Sequence, residues 1–244
     1  MGRCESALRI DIKSPVTSGV ELCPTIMGAQ DPHRKGFTLI ELLLVVTIIG
    51  ILAALVVSAV SSSSKKAKIS VAQAELAEME SAINDYHADL GYFPPDNPNG
   101  PVINPLYFEL LGTTNDGNTY VTLDASAQIS NLTGAINSTF GRQGFANTGR
   151  QAHSSNERGA PTSFLKQLKS KQIGGIPGNP GIKILVCSVE WPDSGSSAPI
   201  SNTTLNPWRY VSTHPTNNSD SFDLWVDLVL GNKTYRVNNW NQHP

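Results

Sequence analysis

Few residues in this sequence have the type and spacing for chemistry, and the most unusual of them is a single acid. Glu41 lies inside the apolar run "GFTLIELLLVVTIIGILAALVV", which begins just after the basic residues Arg34 and Lys35. An ionised side chain inside a membrane costs on the order of 2.5–3.5 kcal/mol on insertion scales, so such groups are rare and normally paired. A carboxylate at a helix end that snorkels to water without a partner is the simplest interpretation. The alternative is that Glu41 pairs with a cation.

Other kinds of chemistry have little support. The sequence has no Walker loop, dinucleotide fingerprint, HExxH motif or paired CxxC, and its five histidines are scattered. The net charge of −2 indicates no bulk nucleic-acid partner, and the basic residues between 142 and 171 are not part of a docking motif. We therefore expect a protein that is not an enzyme and does not bind nucleic acid. A membrane-anchored domain with spatially assembled binding or catalytic residues is an alternative.

The apolar run is long enough to cross a bilayer. Residues 37–60 carry one charge in 24 residues, and a helix of that length spans about 36 Å. A buried core helix, a cleaved secretory signal and an ordinary single-span anchor are alternatives. The flanking charges do not fix an orientation, because two basic residues precede the run and Lys65, Lys66 and Lys68 follow it.

The stretch "KGFTLIE", followed directly by a spanning segment, resembles the cleavage and methylation signature of type IV prepilins and pseudopilins. This resemblance implies that prepilin peptidase cuts between Gly36 and Phe37 and methylates the new amino terminus. The leader, residues 1–36, would then stay on the cytoplasmic side. Met27 is an alternative start that would give a shorter leader.

The same resemblance supplies a partner for Glu41. Cleavage creates a positive amine at Phe37, four residues before the acid. In the low dielectric of a filament core, the amine of an incoming subunit would pair with Glu41 of its neighbour. Phe37 and Glu41 are therefore the predicted assembly residues, and Gly36 and Phe37 the predicted processing site.

Beyond the apolar run, a period of three and four residues predicts an amphipathic continuation of the same helix over 61–91. Gly91 is placed as a helix C-terminal cap, and Pro94 and Pro95 forbid continuation. The sequence thus predicts one helix from about Thr38 to Leu90. Its apolar stripe consists of Ile69, Ala72, Leu76, Met79, Ile83, Tyr86 and Leu90.

The remaining residues, 92–244, form the predicted globular domain. "IKILVCSVEW", "WRYVST" and "FDLWVDLVL" have strand composition, and Gly231-Asn232 suits a tight hairpin turn. We therefore predict an α+β, pilin-like fold with the long helix packed on a small C-terminal antiparallel sheet. Residues 113–181 read as a loop-rich insertion, in which "PTSFLKQLKSKQI" predicts a short helix capped by Thr162 or Ser163.

Three later stretches, "LGYFP", "NPWRYVS" and "FDLW" with "NNW", look like the major pseudopilin of the type II secretion system. This implies a structural subunit in the inner membrane, with a cytoplasmic N-terminus and a periplasmic C-terminal domain. It would assemble with identical subunits and other pseudopilins on an inner-membrane assembly platform. A type IV pilin of a surface fibre, used for adhesion, motility or DNA uptake, is the alternative.

Calcium is the one cofactor that the resemblance suggests, because this family commonly binds it in an acidic loop near the C-terminus. Here the turn reads Gly231-Asn232-Lys233, with a cation where an acidic ligand is wanted. Asp220 and Asp223 could supply two of the six to eight oxygen ligands that calcium takes. A solvated turn is the favoured interpretation, so we expect no cofactor.

Overall fold

The long helix predicted from the sequence is present in the computed structural model, which describes residues 36–132, 134–150, 160–193, 195 and 197–241, with side chains except at 56–61, 150 and 180. Helix α1 spans Leu39–Leu90. It ends at Gly91, whose φ is +81° and whose N–H donates to the carbonyl of His87 at 2.8 Å. Glycine adopts this left-handed conformation without a steric cost, so the predicted helix end is confirmed.

The second half of α1 buries the predicted stripe. Ala72, Ile83 and Tyr86 are fully buried, Leu76 and Met79 are nearly so, and Ile69 and Leu90 pack at the edge of the core. The amphipathic pattern is therefore confirmed at each predicted position. One buried residue of this face, Glu75, was not predicted.

The first part of α1 is different, because its large apolar side chains are exposed. Exposure ranges from 82% at Leu39 to 47% at Val45 and is 64% at Leu55. Among the residues that the structure describes, no helix is long and apolar enough to cross a membrane.

A three-stranded antiparallel sheet packs its inner face into the core. Its strands are β7 (Arg209–Val211), β8 (Asp223–Leu230) and β9 (Lys233–Asn238), in the order β7-β8-β9. Along β8, the alternate residues Leu224, Val226, Leu228 and Leu230 are buried. The residues between them, Trp225, Asp227 and Val229, are half-buried. The predicted alternation and the predicted hairpin are both confirmed.

The strand predicted over 182–191 departs from this arrangement. Strand β6 (Asn179–Leu185) pairs with β5 (Ile173–Ile176) in a separate two-stranded sheet. Beyond Leu185, only an isolated bridge joins Val186 to Pro207. The hydrogen bonds on either side of this bridge are made, from the N–H of Cys187 to the carbonyl of Asn206 at 2.8 Å and from the N–H of Trp208 to the carbonyl of Leu185 at 3.1 Å, but residues 187–191 form no strand.

Residues 106–150 hold small elements that the sequence did not predict. Helix α2 (Leu106–Leu111) is wholly buried and leads into a four-stranded sheet. The elements that follow are β1 (Thr113–Asn115), β2 (Thr119–Thr122), β3 (Gln128–Ser130), α3 (Ala135–Phe140) and β4 (Thr148–Arg150). The strand order in the sheet is β3-β2-β1-β4, β1 and β4 run parallel, and helix α3 connects β3 to β4.

The short helix predicted within residues 161–173 was wrong over most of that segment. Residues 161–169 form no helix, and a short 3-10 helix forms only at Ser170–Gln172. The N–H groups of Phe164 and Leu165 both donate to the carbonyl of Leu110, at 2.7 and 3.3 Å. These donors serve an unpaired carbonyl at the end of α2 instead of forming a helical turn of their own.

Candidate functional site

Of the predicted processing and assembly residues, Gly36 and Phe37 lie directly before α1, and Glu41 lies in its first turn, where it forms a reciprocal cap with Thr38. Glu41 Oε2 accepts hydrogen bonds from the backbone N–H of Thr38 at 2.9 Å and from its hydroxyl at 2.8 Å. The N–H of Glu41 in turn donates to Thr38 Oγ1 at 3.3 Å. This is a capping box, which satisfies two N–H groups that a helix start would otherwise leave unpaired.

The cap uses only one of the two carboxylate oxygens. Within the described residues, Glu41 Oε1 has no hydrogen-bond partner, and the side chain is exposed. Phe37, directly before the cap, is 81% exposed. Glu41 is thus held in a defined orientation while keeping one charged oxygen available for a donor.

Thr47 is the other polar side chain well inside the exposed apolar part of α1. Its hydroxyl donates back to the carbonyls of Leu43 and Leu44, at 2.5 and 3.0 Å. A hydroxyl paired within its own helix does not need water, so Thr47 is compatible with an apolar environment. Sequence reasoning did not predict this contact, although the i to i−4 spacing allows it.

Two buried acids join the second half of α1 to the domain through hydrogen bonds, and neither was predicted from the sequence. Glu109 of α2 is fully buried; its Oε2 accepts from the Tyr86 hydroxyl and from the N–H of Asn147, both at 3.0 Å. Its Oε1 accepts from the N–H of Ala146 at 2.8 Å. Burial raises the pKa of Glu109, and these donors oppose the rise. The sequence feature that could have identified Glu109 is its position as a single acid within the apolar run "LYFELL".

Glu75 makes the corresponding contact further along α1. Its two oxygens accept from the N–H of Ser188, at 3.1 Å, and from the Ser188 hydroxyl. Ser188 follows Cys187, which is buried and forms no disulfide bond among the described residues. Burial, together with the Glu75 charge, raises the pKa of the Cys187 thiol, so a thiolate is disfavoured there.

The stretches "LGYFP" and "FDLW" meet in an aromatic cluster after α1. Phe93 stacks on His87 with ring centroids 4.2 Å apart and contacts Phe222 at 5.3 Å. Near the end of the chain, Trp225 and Trp240 pack edge to face at 5.7 Å. These residues therefore tie the end of the helix and the end of the chain to the same sheet.

The two calcium candidates are not equivalent. Asp220 is exposed, whereas Asp223 is buried and accepts hydrogen bonds from the backbone N–H groups of Thr216, Asn217 and Asn218 and from the Asn217 side-chain amide, at 2.9–3.0 Å. Those donors occupy most of the carboxylate's acceptor capacity. In the described part of the chain, no group of three or more His, Cys, Asp or Glu residues is arranged to hold a metal ion.

Comparisons with known proteins address the same N-terminal region first. Residues 31–57 match the family model described as the prokaryotic N-terminal methylation motif. A fimbrial protein of Eikenella corrodens, EcpB, is 38% identical over 112 residues, which cover 45% of this chain and 70% of the relative. This chain belongs to the type IV prepilin-like family.

Other relatives of this prepilin-like chain are named as proteins of a secretion system. The type II secretion system core protein G of Escherichia coli K12 is 33% identical over 109 residues, covering 39% of this chain and 74% of the relative. The core protein G of Pseudomonas aeruginosa is 43% identical over 65 residues, covering 27% of this chain and 46% of that protein. No solved structure matches this chain. The relatives thus include both fimbrial and secretion proteins, and less than half of this chain is covered by each of the three.

Proposed function

We propose that this prepilin-like chain is a structural subunit of a type II secretion pseudopilus that drives protein export. In this proposal, prepilin peptidase removes the leader after Gly36 and methylates Phe37, and the subunits polymerise through α1. The observation that carries the proposal is the capped Glu41, which keeps Oε1 available at the start of an exposed apolar helix. No catalytic role is proposed for any residue.

The exposed apolar surface requires a covering layer. Fully burying a Val, Leu or Ile side chain contributes roughly 1.5–3 kcal/mol, and more than ten large apolar side chains are exposed between residues 37 and 55. Lipid would cover residues 37–60 before assembly, with the N-terminus cytoplasmic and the C-terminal domain periplasmic. Neighbouring subunits, identical or other pseudopilins, would cover them in the filament on the inner-membrane assembly platform.

Charge pairing would then fix the register of the filament. The amine created at Phe37 is positive, and an unpaired charge is heavily penalised away from water. A neighbour's Glu41 Oε1 is the acceptor that the capping geometry leaves free. A subunit added out of register would leave both charges unpaired.

The choice of a pseudopilus over a surface fibre rests on separate observations. The "LGYFP" and "FDLW" stretches and Trp240 form the aromatic contacts described above, and two relatives are named as secretion core protein G. Beyond residue 23 the sequence contains one cysteine, so it has no C-terminal disulfide pair. A type IV pilin of a surface fibre is the second candidate, favoured by the likeness to fimbrial protein EcpB.

Processing is tested by mass spectrometry of the protein purified from its native host. We expect the mature chain to begin with N-methylated Phe37, and we expect Gly36→Ala to accumulate the uncut precursor. Gly50→Ala, a change within the apolar helix at a site with open space around it, is the matched control and should mature normally. Normal maturation of the Gly36→Ala chain would contradict the proposed cleavage.

The two candidate functions are separated by where the filament forms and what its loss abolishes. Deleting the gene should abolish secretion of proteins into the medium and leave surface fibres unchanged. Electron microscopy of cells overproducing the subunit should show short filaments that originate in the periplasm. Loss of surface fibres with normal secretion would support the pilin instead.

A further inference from the structure

A group of four exposed lysines lies just beyond the apolar segment. Three of them, Lys65, Lys66 and Lys68, follow one another in α1, and the fourth is Lys233 at the start of β9. We call these four residues the lysine cluster. Neither the processing site nor the assembly site uses them.

The fold brings the hairpin turn that precedes Lys233 to Lys65. Gly231 and Asn232 form the turn between β8 and β9, and Lys233 pairs with Leu230 across that turn. The Nζ of Lys65 lies 3.7 Å from the position that a Cβ on Gly231 would occupy. Lys233, two residues after Gly231, therefore follows a turn that lies beside Lys65.

Among the described residues, no acid forms an ion pair with the lysine cluster. The sequence has no Asp or Glu between Glu41 and Glu75. In the described part of the chain, none of the four lysines has a carboxylate within ion-pair distance; the ion pairs of Arg209 and Arg236 are with Asp227. The cluster is thus an uncompensated positive surface.

The position of the lysine cluster next to the apolar segment indicates the kind of partner that it would bind. Lys65 follows Val60 by five residues of helix, a rise of about 7.5 Å. Lysine next to a membrane segment is normally kept on the cytoplasmic side, so three lysines on the opposite side run against the usual distribution. An anionic surface at the end of the apolar segment would offset that cost, because polybasic segments bind acidic lipid headgroups.

We propose that the lysine cluster binds the acidic headgroups of the bilayer in which residues 37–60 are anchored. This inference rests on the proposed function, because it requires that segment to be in the membrane. The cluster would hold the domain against the lipid surface until the subunit leaves for the filament. It also gives Lys233 a role at the position where an acidic calcium ligand was wanted.

The test measures lipid selectivity of the full chain reconstituted into phosphatidylcholine bilayers. Trace spin-labelled phosphatidylglycerol or phosphatidylcholine reports the fraction of each lipid that the protein immobilises. We expect a preference for phosphatidylglycerol of roughly twofold to fivefold, decreasing at about 0.5 M salt, where screening shortens to about 4 Å. The leader is common to all variants, so its own basic residues cancel in the comparison.

Matched variants assign the preference to the cluster. K65Q/K66Q/K68Q should lose at least half of the preference, and adding K233Q should lower it further although Lys233 is remote in sequence. K166Q/K169Q/K171Q removes the same number of exposed lysines elsewhere in the domain and should behave like the wild type. Equal losses in the two triple variants, or no loss in the first, would overturn the inference.

Two other outcomes have distinct meanings. If the chain immobilises both lipids without preference, the headgroup inference is wrong and the membrane anchor stands. If it immobilises neither, the anchor and hence the proposed function are contradicted. A cluster that instead binds a second copy would leave lipid preference unchanged in K65Q/K66Q/K68Q while reducing crosslinks between copies, which also overturns the inference.

Discussion

At the residue scale, Glu41 has a local role that sequence reasoning did not consider. The capping box with Thr38 accounts for an acid at the helix start without a filament, since such caps stabilise helices in many soluble proteins. The local role uses Oε2, whereas the proposed assembly contact needs only Oε1. The two roles are therefore compatible, and the cap would hold the carboxylate ready for the neighbouring amine.

Asp223 is expected to order the 216–218 turn through its own hydrogen bonds. Asp223→Asn replaces an acceptor oxygen with a donor facing backbone N–H groups, so we expect it to lower the free energy of unfolding by about 2 kcal/mol. Asp220→Asn, at an exposed site, should change it little. Thermal unfolding of the full chain in detergent measures both variants.

The same measurement tests the expectation that the domain needs no calcium. We expect neither a chelator nor added calcium to shift the unfolding midpoint of the wild type. A large upward shift with calcium that Asp223→Asn abolishes would contradict this expectation and identify Asp223 as a ligand.

Glu109 should make stability depend on pH in a defined direction. Burial raises the pKa of this carboxyl in the folded state, so its contribution to stability is full below the ordinary carboxyl pKa and is lost as pH rises through the raised value. The stability difference between the wild type and Glu109→Gln should therefore shift in favour of the wild type as pH falls. Urea unfolding over a series of pH values measures this difference, and a difference that moves the opposite way would refute the assignment.

At the element scale, the docking of α1 depends on hydrogen bonds to buried acids as well as on its apolar stripe. Tyr86→Phe removes the hydroxyl that donates to Glu109 and should lower the free energy of unfolding by about 1–2 kcal/mol. Tyr235→Phe is the matched control, because the Tyr235 hydroxyl has no hydrogen-bond partner among the described residues. Chemical unfolding monitored by circular dichroism compares the two, and equal effects would exclude a special role for the Tyr86 contact.

Elements with a long local pattern were predictable from the sequence. The stripe from Ile69 to Leu90, the stop at Gly91 and the β8–β9 hairpin each follow from side-chain period or turn chemistry, which nearby residues determine. The buried faces of α1 and β8 were predicted for the same reason. At the start of α1, the Thr38 cap was recognisable as a T-x-x-E pattern, whereas the assembly role of Phe37 and Glu41 stays a prediction.

Elements held by distant contacts were not predictable. Strands of three residues carry too little period to recognise, and β1 and β4 meet through contacts such as the 2.7 Å hydrogen bond between the hydroxyls of Thr113 and Thr148. The segment 161–173, predicted as a short helix, has helical composition, but Leu110 and Asn147 bind the backbone groups of its first residues. Tertiary hydrogen bonds outweighed local propensity in that segment.

At the scale of the whole molecule, the chain combines a helix start suited to pairing with a neighbour and a folded domain with its own core. The domain buries the second half of α1, so that half needs no partner to be stable. Large apolar side chains before it, from Phe37 to Leu55, are exposed. Assembly through this part of the helix is the central claim of the proposed function.

The most direct test of that claim is filament yield from Glu41→Val in the native host, compared with Glu78→Val at an exposed acid of the same helix. Both variants should be cleaved and methylated at Phe37, because neither change alters Gly36 or Phe37. Filaments counted by electron microscopy should be lost in Glu41→Val, with the monomer still in the membrane, and retained in Glu78→Val. Wild-type filament yield from Glu41→Val would contradict the claim.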